Sequence, residues 1–157
     1  MNIISSNILS NISTDEAIII CHQVNCKGAM GAGLAKQIRS KWPSVYETYK
    51  RFCLKPLVQS SLLGNCQLVN AEGSVWVANL FGQDGFGTDK VQTDYTALKS
   101  ALLVLYGEIY KKNLTAATIR IPYNMGCGLA GGNWDVVEKI IKDVFDDSSV
   151  NVEIWKI

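Results

Sequence analysis

At 157 residues, with 48% apolar and 18% charged positions and a formal net charge of +1, the chain reads as one ordinary globular domain over residues 1–157. This balance leaves no electrostatic footprint for strong intrinsic nucleic-acid binding, though backbone amides can still hold a small anion, and no apolar run is long enough to span a bilayer. Five cysteines without a C-x-x-C pair and one histidine, His22, argue against a metal site and, with no signal peptide, for a reducing cytoplasm.

Asn2 to Ile4 is a short first strand, followed by a turn at Ser5-Ser6-Asn7. Ala17 to Cys21 is an unbroken apolar run with three isoleucines, the pattern of a central strand covered on both faces. The polar group His22, Gln23, Asn25 and Lys27 follows at its carboxyl end, then Gly28, Gly31 and Gly33. A helix is expected from Gly31 to Lys41, broken at Trp42-Pro43. Pro43 opens a second helix that turns Val45, Tyr46, Tyr49 and Cys53 inward. A connection from Leu57 to Asn65 leads to a hairpin of Cys66–Asn70 and Val75–Leu80. Phe81 to Gly87 reads as a mobile loop with two aromatics. A third helix spans about Asp94 to Lys112, with Leu98, Leu102, Leu105 and Ile109 buried. Thr118 to Ile121 is a strand, and Met125 to Gly132 is a second glycine-dense loop. The last helix starts near Asn133, an expected N-cap, with Trp134, Val137, Ile141 and Val144 toward the core; Val152 to Trp155 is the final strand. Alternating strands and helices with one hairpin predict a three-layer α/β/α fold around a mixed sheet of about six strands.

Two strand–glycine–helix units on one rim would surround a phosphorylated ligand with backbone N–H groups. The alternative is that the glycines serve only tight turns. Lys36 stands where a dinucleotide fingerprint needs its third glycine, and no G-x-x-x-x-G-K-[ST] occurs, so neither known phosphate motif applies. His22 stands where a general base or phosphoryl-accepting nucleophile belongs, or is simply structural. Asn25 can bind vicinal hydroxyls or serve as a turn residue. Cys127, with no second histidine to activate it, reads as a small packing residue.

With these residues in view, the chain resembles a macro domain over essentially its whole length. The resemblance rests on His22 to Ala35 and on Gly126 to Trp134, supported by Asn79-Leu80-Phe81-Gly82-Gln83 and the final strand. It points to the ADP-ribose 1″-phosphate phosphatase and ADP-ribosyl-hydrolase-like branch, and implies an ADP-ribose cleft at the carboxyl ends of the central strands. Asn7 would replace the acidic residue that reads the adenine amino group, accepting through its carbonyl oxygen, and Ile8 would support adenine through its backbone. Asn25 matches the asparagine at the distal ribose. Gly31, Ala32 and Gly33, and Gly126, Cys127, Gly128 and Leu129, match the loops holding the diphosphate and that ribose. Lys27, Gly28, Ala29 and Met125 belong to the same loops, and Trp155 matches an aromatic near adenine. One hydrolase branch carries aspartate where this chain has Ala130, and many relatives carry it where Asn133 stands. Those departures argue against an aspartate-dependent mechanism; the histidine after the second strand resembles the phosphatase branch.

Three functions follow from the resemblance. The first is a hydrolase, with no cofactor, that removes the 1″-phosphate or an ADP-ribosyl adduct: His22 as base or nucleophile, Asn25 orienting the ribose, and Asp84 a second acid or base. The second is a module that reads ADP-ribose without chemistry. The third acts on ADP-ribosylated protein or nucleic acid.

Overall fold

The computed structural model describes residues 1–55 and 61–157; the connection expected from Leu57 begins outside the described residues. The elements are β1 (Asn2–Ile4), β2 (Ile18–Gln23), α1 (Gly33–Lys41), α2 (Pro43–Cys53), β3 (Cys66–Glu72), β4 (Val75–Leu80), α3 (Tyr95–Lys111), β5 (Thr118–Pro122), α4 (Trp134–Phe145) and β6 (Asn151–Trp155). They build a six-stranded sheet in the order β1-β6-β5-β2-β4-β3. Every neighbouring pair is parallel except β3 and β4, so the sheet is mixed, as the hairpin predicts. No helix among the described residues is long and apolar enough to cross a membrane.

Period-two alternation sorts the two faces. Ile19 and Cys21 of β2 join Ala78, Leu80, Ile119 and Ile121 beneath α3 and α4. Ile18 and Ile20 point the other way, with Val75 and Val77, against Ile38 and Trp42 beside α1 and α2. A third cluster packs Val24, Cys26 and Met30, from the segment after β2, on Tyr46 and Tyr49 of α2 and on Phe81. Burying Ile18, Ile19 and Ile20 to 2% exposure or less contributes about 2 kcal/mol each, which fixes β2 at the centre.

The chain leaves β2, builds the β3–β4 edge on one side, and returns to β5 on the other. That reversal makes the carboxyl end of β2 a topological switch point, where successive connections diverge and leave a crevice.

Four expectations need correction. β2 runs through His22 and Gln23, because both pair with β4, so these polar residues end the strand and do not follow it. α1 begins at Gly33, leaving Gly31 in the loop. In α4 the deep positions are Val137, Ile140, Ile141 and Phe145; Trp134 and Val144 are half-buried, since the helix is turned to set Phe145 against Tyr106 of α3 and Trp134 on Tyr123. Phe81, expected in a mobile loop, is fully buried between Tyr49 and Phe52.

Candidate functional site: a cleft between two glycine-rich loops

A cleft of about 520 Å³ opens at the carboxyl ends of β2 and β5. One rim is the segment between Ala29 and Ala35 and the other runs from Tyr123 to Ala130, so Gly31 and Gly128 share one cavity. Gln83, Phe86, Gly87 and Thr88 close a third side.

The glycines fall into two physical classes. Gly126 has φ +74°, and a Cβ there would lie 2.7 Å from Gln23 Oε1, so the protein itself requires glycine. Gly31 and Gly128 have ordinary φ, and a Cβ on either would meet no atom within 4 Å. Both positions line the cleft, so the space left open beside them is not needed by any protein atom. Ala29, Ala32, Gly33, Met125 and Leu129 also line it; Lys27, Gly28 and Cys127 do not. The Cys127 thiol instead packs against the α3–α4 core, and burial raises its pKa. α1 starts at the rim without a side-chain cap, leaving its first amides without intrahelical acceptors. Among the described residues the amides of Gly128 and Leu129 also have no acceptor. Both rims thus offer donors to an anion.

His22 lies at the cleft's inner end and is 3% exposed. Its Nε2 is 2.6 Å from Asn79 Oδ1, the residue opposite it in the β2–β4 register. Asn79 Nδ2 donates to Gln67 Oε1 at 3.2 Å, so Oδ1 is the acceptor and Nε2 carries the imidazole proton. Nδ1 then holds a lone pair that is itself buried and has no protein partner among the described residues. Burial, offset in part by the Asn79 bond, pulls the His22 pKa down to about 4, so the ring is neutral at physiological pH.

Asn25 lines the cleft, yet most of its carboxamide is used within its own loop. Oδ1 accepts from the amides of Lys27 at 2.9 Å and Ala29 at 3.2 Å, and from the Tyr49 hydroxyl at 3.0 Å. Nδ2 donates to Ala29 O at 2.9 Å, leaving its second hydrogen for a ligand. Asp84, expected to face the cleft, does not line it; its carboxylate is exposed and pairs with Lys27 at 3.6 Å.

The expected adenine contacts lie beyond the cleft lining. Asn7 Oδ1 accepts from Leu9 N at 2.8 Å, closing a turn, so the atom expected to read adenine is already engaged. Ile8 is buried, and its carbonyl accepts from Arg120 at 2.9 Å. Arg120, missed in the sequence, also donates to Ser10 O and Asn11 O, and its guanidinium lies 4.0 Å from the centroid of Trp155. It clamps the segment after β1 to the sheet. A lone charge inside the apolar strand Thr118–Ile121 was the available signal. Gln23 was also missed: its Nε2 donates to Gln83 Oε1 and Thr93 Oγ1, both at 2.9 Å, and Thr93 donates to Gly126 O at 2.6 Å. One side chain at the end of β2 thereby ties together the two loops that follow β4 and β5. Among the described residues no three His, Cys, Asp or Glu side chains gather as a metal-binding group.

No protein-family model matches the chain. Over 105 residues it is 32% identical to an ADP-ribose 1″-phosphate phosphatase of Meyerozyma guilliermondii, a match spanning 60% of this chain and 59% of that protein. With the protein of the same name from Debaryomyces hansenii it shares 26% identity over 158 residues, 87% of each. Its fold superposes on a macrodomain protein from Streptomyces coelicolor with a TM-score of 0.79 and 26% identity, covering 98% of this chain and 97% of that one.

Proposed function

Because the chain belongs to the macro domain family, we propose that it binds ADP-ribose in this cleft and hydrolyses a group from the distal ribose, the 1″-phosphate foremost. The observation that carries this reading is the pair Gly31 and Gly128: neither is needed by the fold, and both leave room for a ligand to reach the backbone of its own rim. The diphosphate lies between the rims, on amides that need no side-chain charge. The phosphatase name of two relatives and the placed histidine favour the 1″-phosphate over other adducts.

In the reaction a water oxygen attacks phosphorus and the bond from phosphorus to the ribose 1″ oxygen breaks. The water proton passes to His22 Nδ1 and then to the departing ribose oxygen, giving inorganic phosphate and ADP-ribose. His22 and Tyr123 are the acid–base side chains lining the cleft, and of these His22 holds an unpartnered lone pair. A ring titrating near 4 is a weak base when the cleft is free of anions; a bound phosphate dianion beside it raises its basicity through opposite charge. Asn25 supplies its remaining N–H to the ribose, and the loop amides stabilise charge developing on the phosphate oxygens.

A second reading is a module that binds ADP-ribose without chemistry. It is favoured by Asp84 standing off the cleft and by the internal use of Asn25. Release of inorganic phosphate from ADP-ribose 1″-phosphate separates the two. Hydrolysis is expected, falling at least ~10²-fold in His22→Ala, the scale of acid–base catalysis, while ADP-ribose binding stays near wild type. Absence of phosphate release by the native protein leaves the binding module; equal turnover in His22→Ala removes the histidine from the chemistry.

A further inference from the structure

Three polar side chains stand in one line across the sheet. His22 of β2 lies opposite Asn79 of β4, and Asn79 lies opposite Gln67 of β3. One rung earlier on the same face the line is Ile20, Val77 and Val69, all apolar. Asn79 is fully buried, so its amide needs partners on both sides, a demand that an apolar residue would not make. Neither Asn79 nor Gln67 lines the cleft. Direct contact with a ligand in the cleft therefore does not account for the polar rung, and burial favours apolar residues in its place.

The rung has a direction, set from outside the sheet. Gln67 Nε2 donates to the Thr48 carbonyl of α2 at 3.4 Å. A carbonyl can only accept, so the Gln67 amide turns its nitrogen to Thr48 and its oxygen to Asn79. That oxygen can also only accept, so Asn79 gives it Nδ2, at 3.2 Å, and turns Oδ1 to His22 Nε2, at 2.6 Å. The opposite histidine tautomer would require Asn79 to flip, which sets its Oδ1 against Gln67 Oε1. Flipping Gln67 as well would only move the clash of two oxygens to Thr48. Each orientation along the rung follows from one main-chain acceptor. The next residue of α2, Tyr49, holds Asn25 through its hydroxyl, so two consecutive positions of one helix reach both polar side chains at the cleft.

We propose that Gln67 is a positioning residue for His22: anchored on α2, it fixes through Asn79 which ring nitrogen bears the proton and which keeps the lone pair. No proton travels along the rung, because neither amide titrates; the rung transmits orientation. The control of the ring stands on the hydrogen bonds themselves, and its consequence for turnover rests on the hydrolase reading above.

The test is nitrogen NMR of the ring at neutral pH, where the chain's one histidine is uncharged and its two tautomers have distinct spectra. The native protein is expected to show the Nε2–H form in large excess. Gln67→Met removes both hydrogen bonds at similar side-chain length and frees Asn79 to turn. The Nδ1–H form should then rise about tenfold relative to Nε2–H, the factor that one hydrogen bond of ordinary net strength supplies. Gln67→Glu retains an acceptor for Asn79 Nδ2 and should keep the native tautomer. An Nδ1–H majority in the native protein, an unchanged ratio in folded Gln67→Met, or a Gln67→Glu ring that shifts as Gln67→Met does would each overturn the proposal. Phosphate release from ADP-ribose 1″-phosphate supplies the second readout: kcat should follow the Nε2–H fraction across the variants while KM stays near native. A raised KM at native kcat would instead make Gln67 a support for binding and overturn its positioning role. A native protein that releases no phosphate, yet whose ring responds as expected, would remove the hydrolase reading and leave the rung's control of the ring intact.

Discussion

His22 is the chain's sole imidazole, so its titration can be followed without overlap. An unfolded histidine takes up its proton near pH 6.5, whereas folded His22 resists until about 4. Between those values the unfolded chain binds the extra proton, so stability falls as pH drops through that window. The full loss is about 3 kcal/mol, and His22→Gln should flatten this part of the stability–pH curve in denaturant titrations. An undiminished slope in that variant would assign the acid sensitivity elsewhere. Asn79 governs the same ring through its 2.6 Å bond. Asn79→Leu strands a buried N–H and should cost about 1–3 kcal/mol. Asn79→Asp keeps an acceptor and adds a charge, so nitrogen NMR should show the His22 pKa rising above its wild-type value. A pKa that stays near 4 in Asn79→Asp would mean the pair is not in contact in solution.

At the scale of elements, α2 supports the cleft from behind. The Tyr49 hydroxyl donates to Asn25 O at 2.6 Å, and burial raises its pKa, so it remains a phenol that can donate. Tyr49→Phe should lower stability by about 1 kcal/mol and weaken ADP-ribose binding, because the first glycine loop loses its tie. Wild-type affinity in that variant would show that the loop holds its shape through Asn25 alone. The inward residues of α2 were legible because helical spacing and Pro43 agree; Val45, Tyr46, Tyr49 and Cys53 are the buried ones. The end of β2 was not, because polarity after an apolar run looks like a loop. His22 remains in the strand because Asn79 and Gln67 on β4 and β3 continue a polar rung across the sheet, a match visible only once the register is known. Likewise the glycines announced two loops but not their division of labour. Gly126 is held by its positive φ and by Gln23, whereas Gly31 and Gly128 face open space. Asp84 illustrates the limit of placing a side chain by loop membership: its neighbour Gln83 lines the cleft and it does not.

For the molecule as a whole, the cleft depends on the strand order reversing at β2, which brings two loops far apart in sequence to one crevice. The central claim is that Gly31 and Gly128 are glycines for the sake of a diphosphate. Titration calorimetry with ADP-ribose, run on native protein, Gly31→Val and Gly128→Val alongside their thermal unfolding, tests it most directly. The expected result is binding by the native protein and its loss in both variants at nearly unchanged Tm, because a Cβ at either position meets no protein atom within 4 Å while both positions line the cleft. Native protein that does not bind ADP-ribose, or valine variants that bind it as tightly as native, would contradict the account.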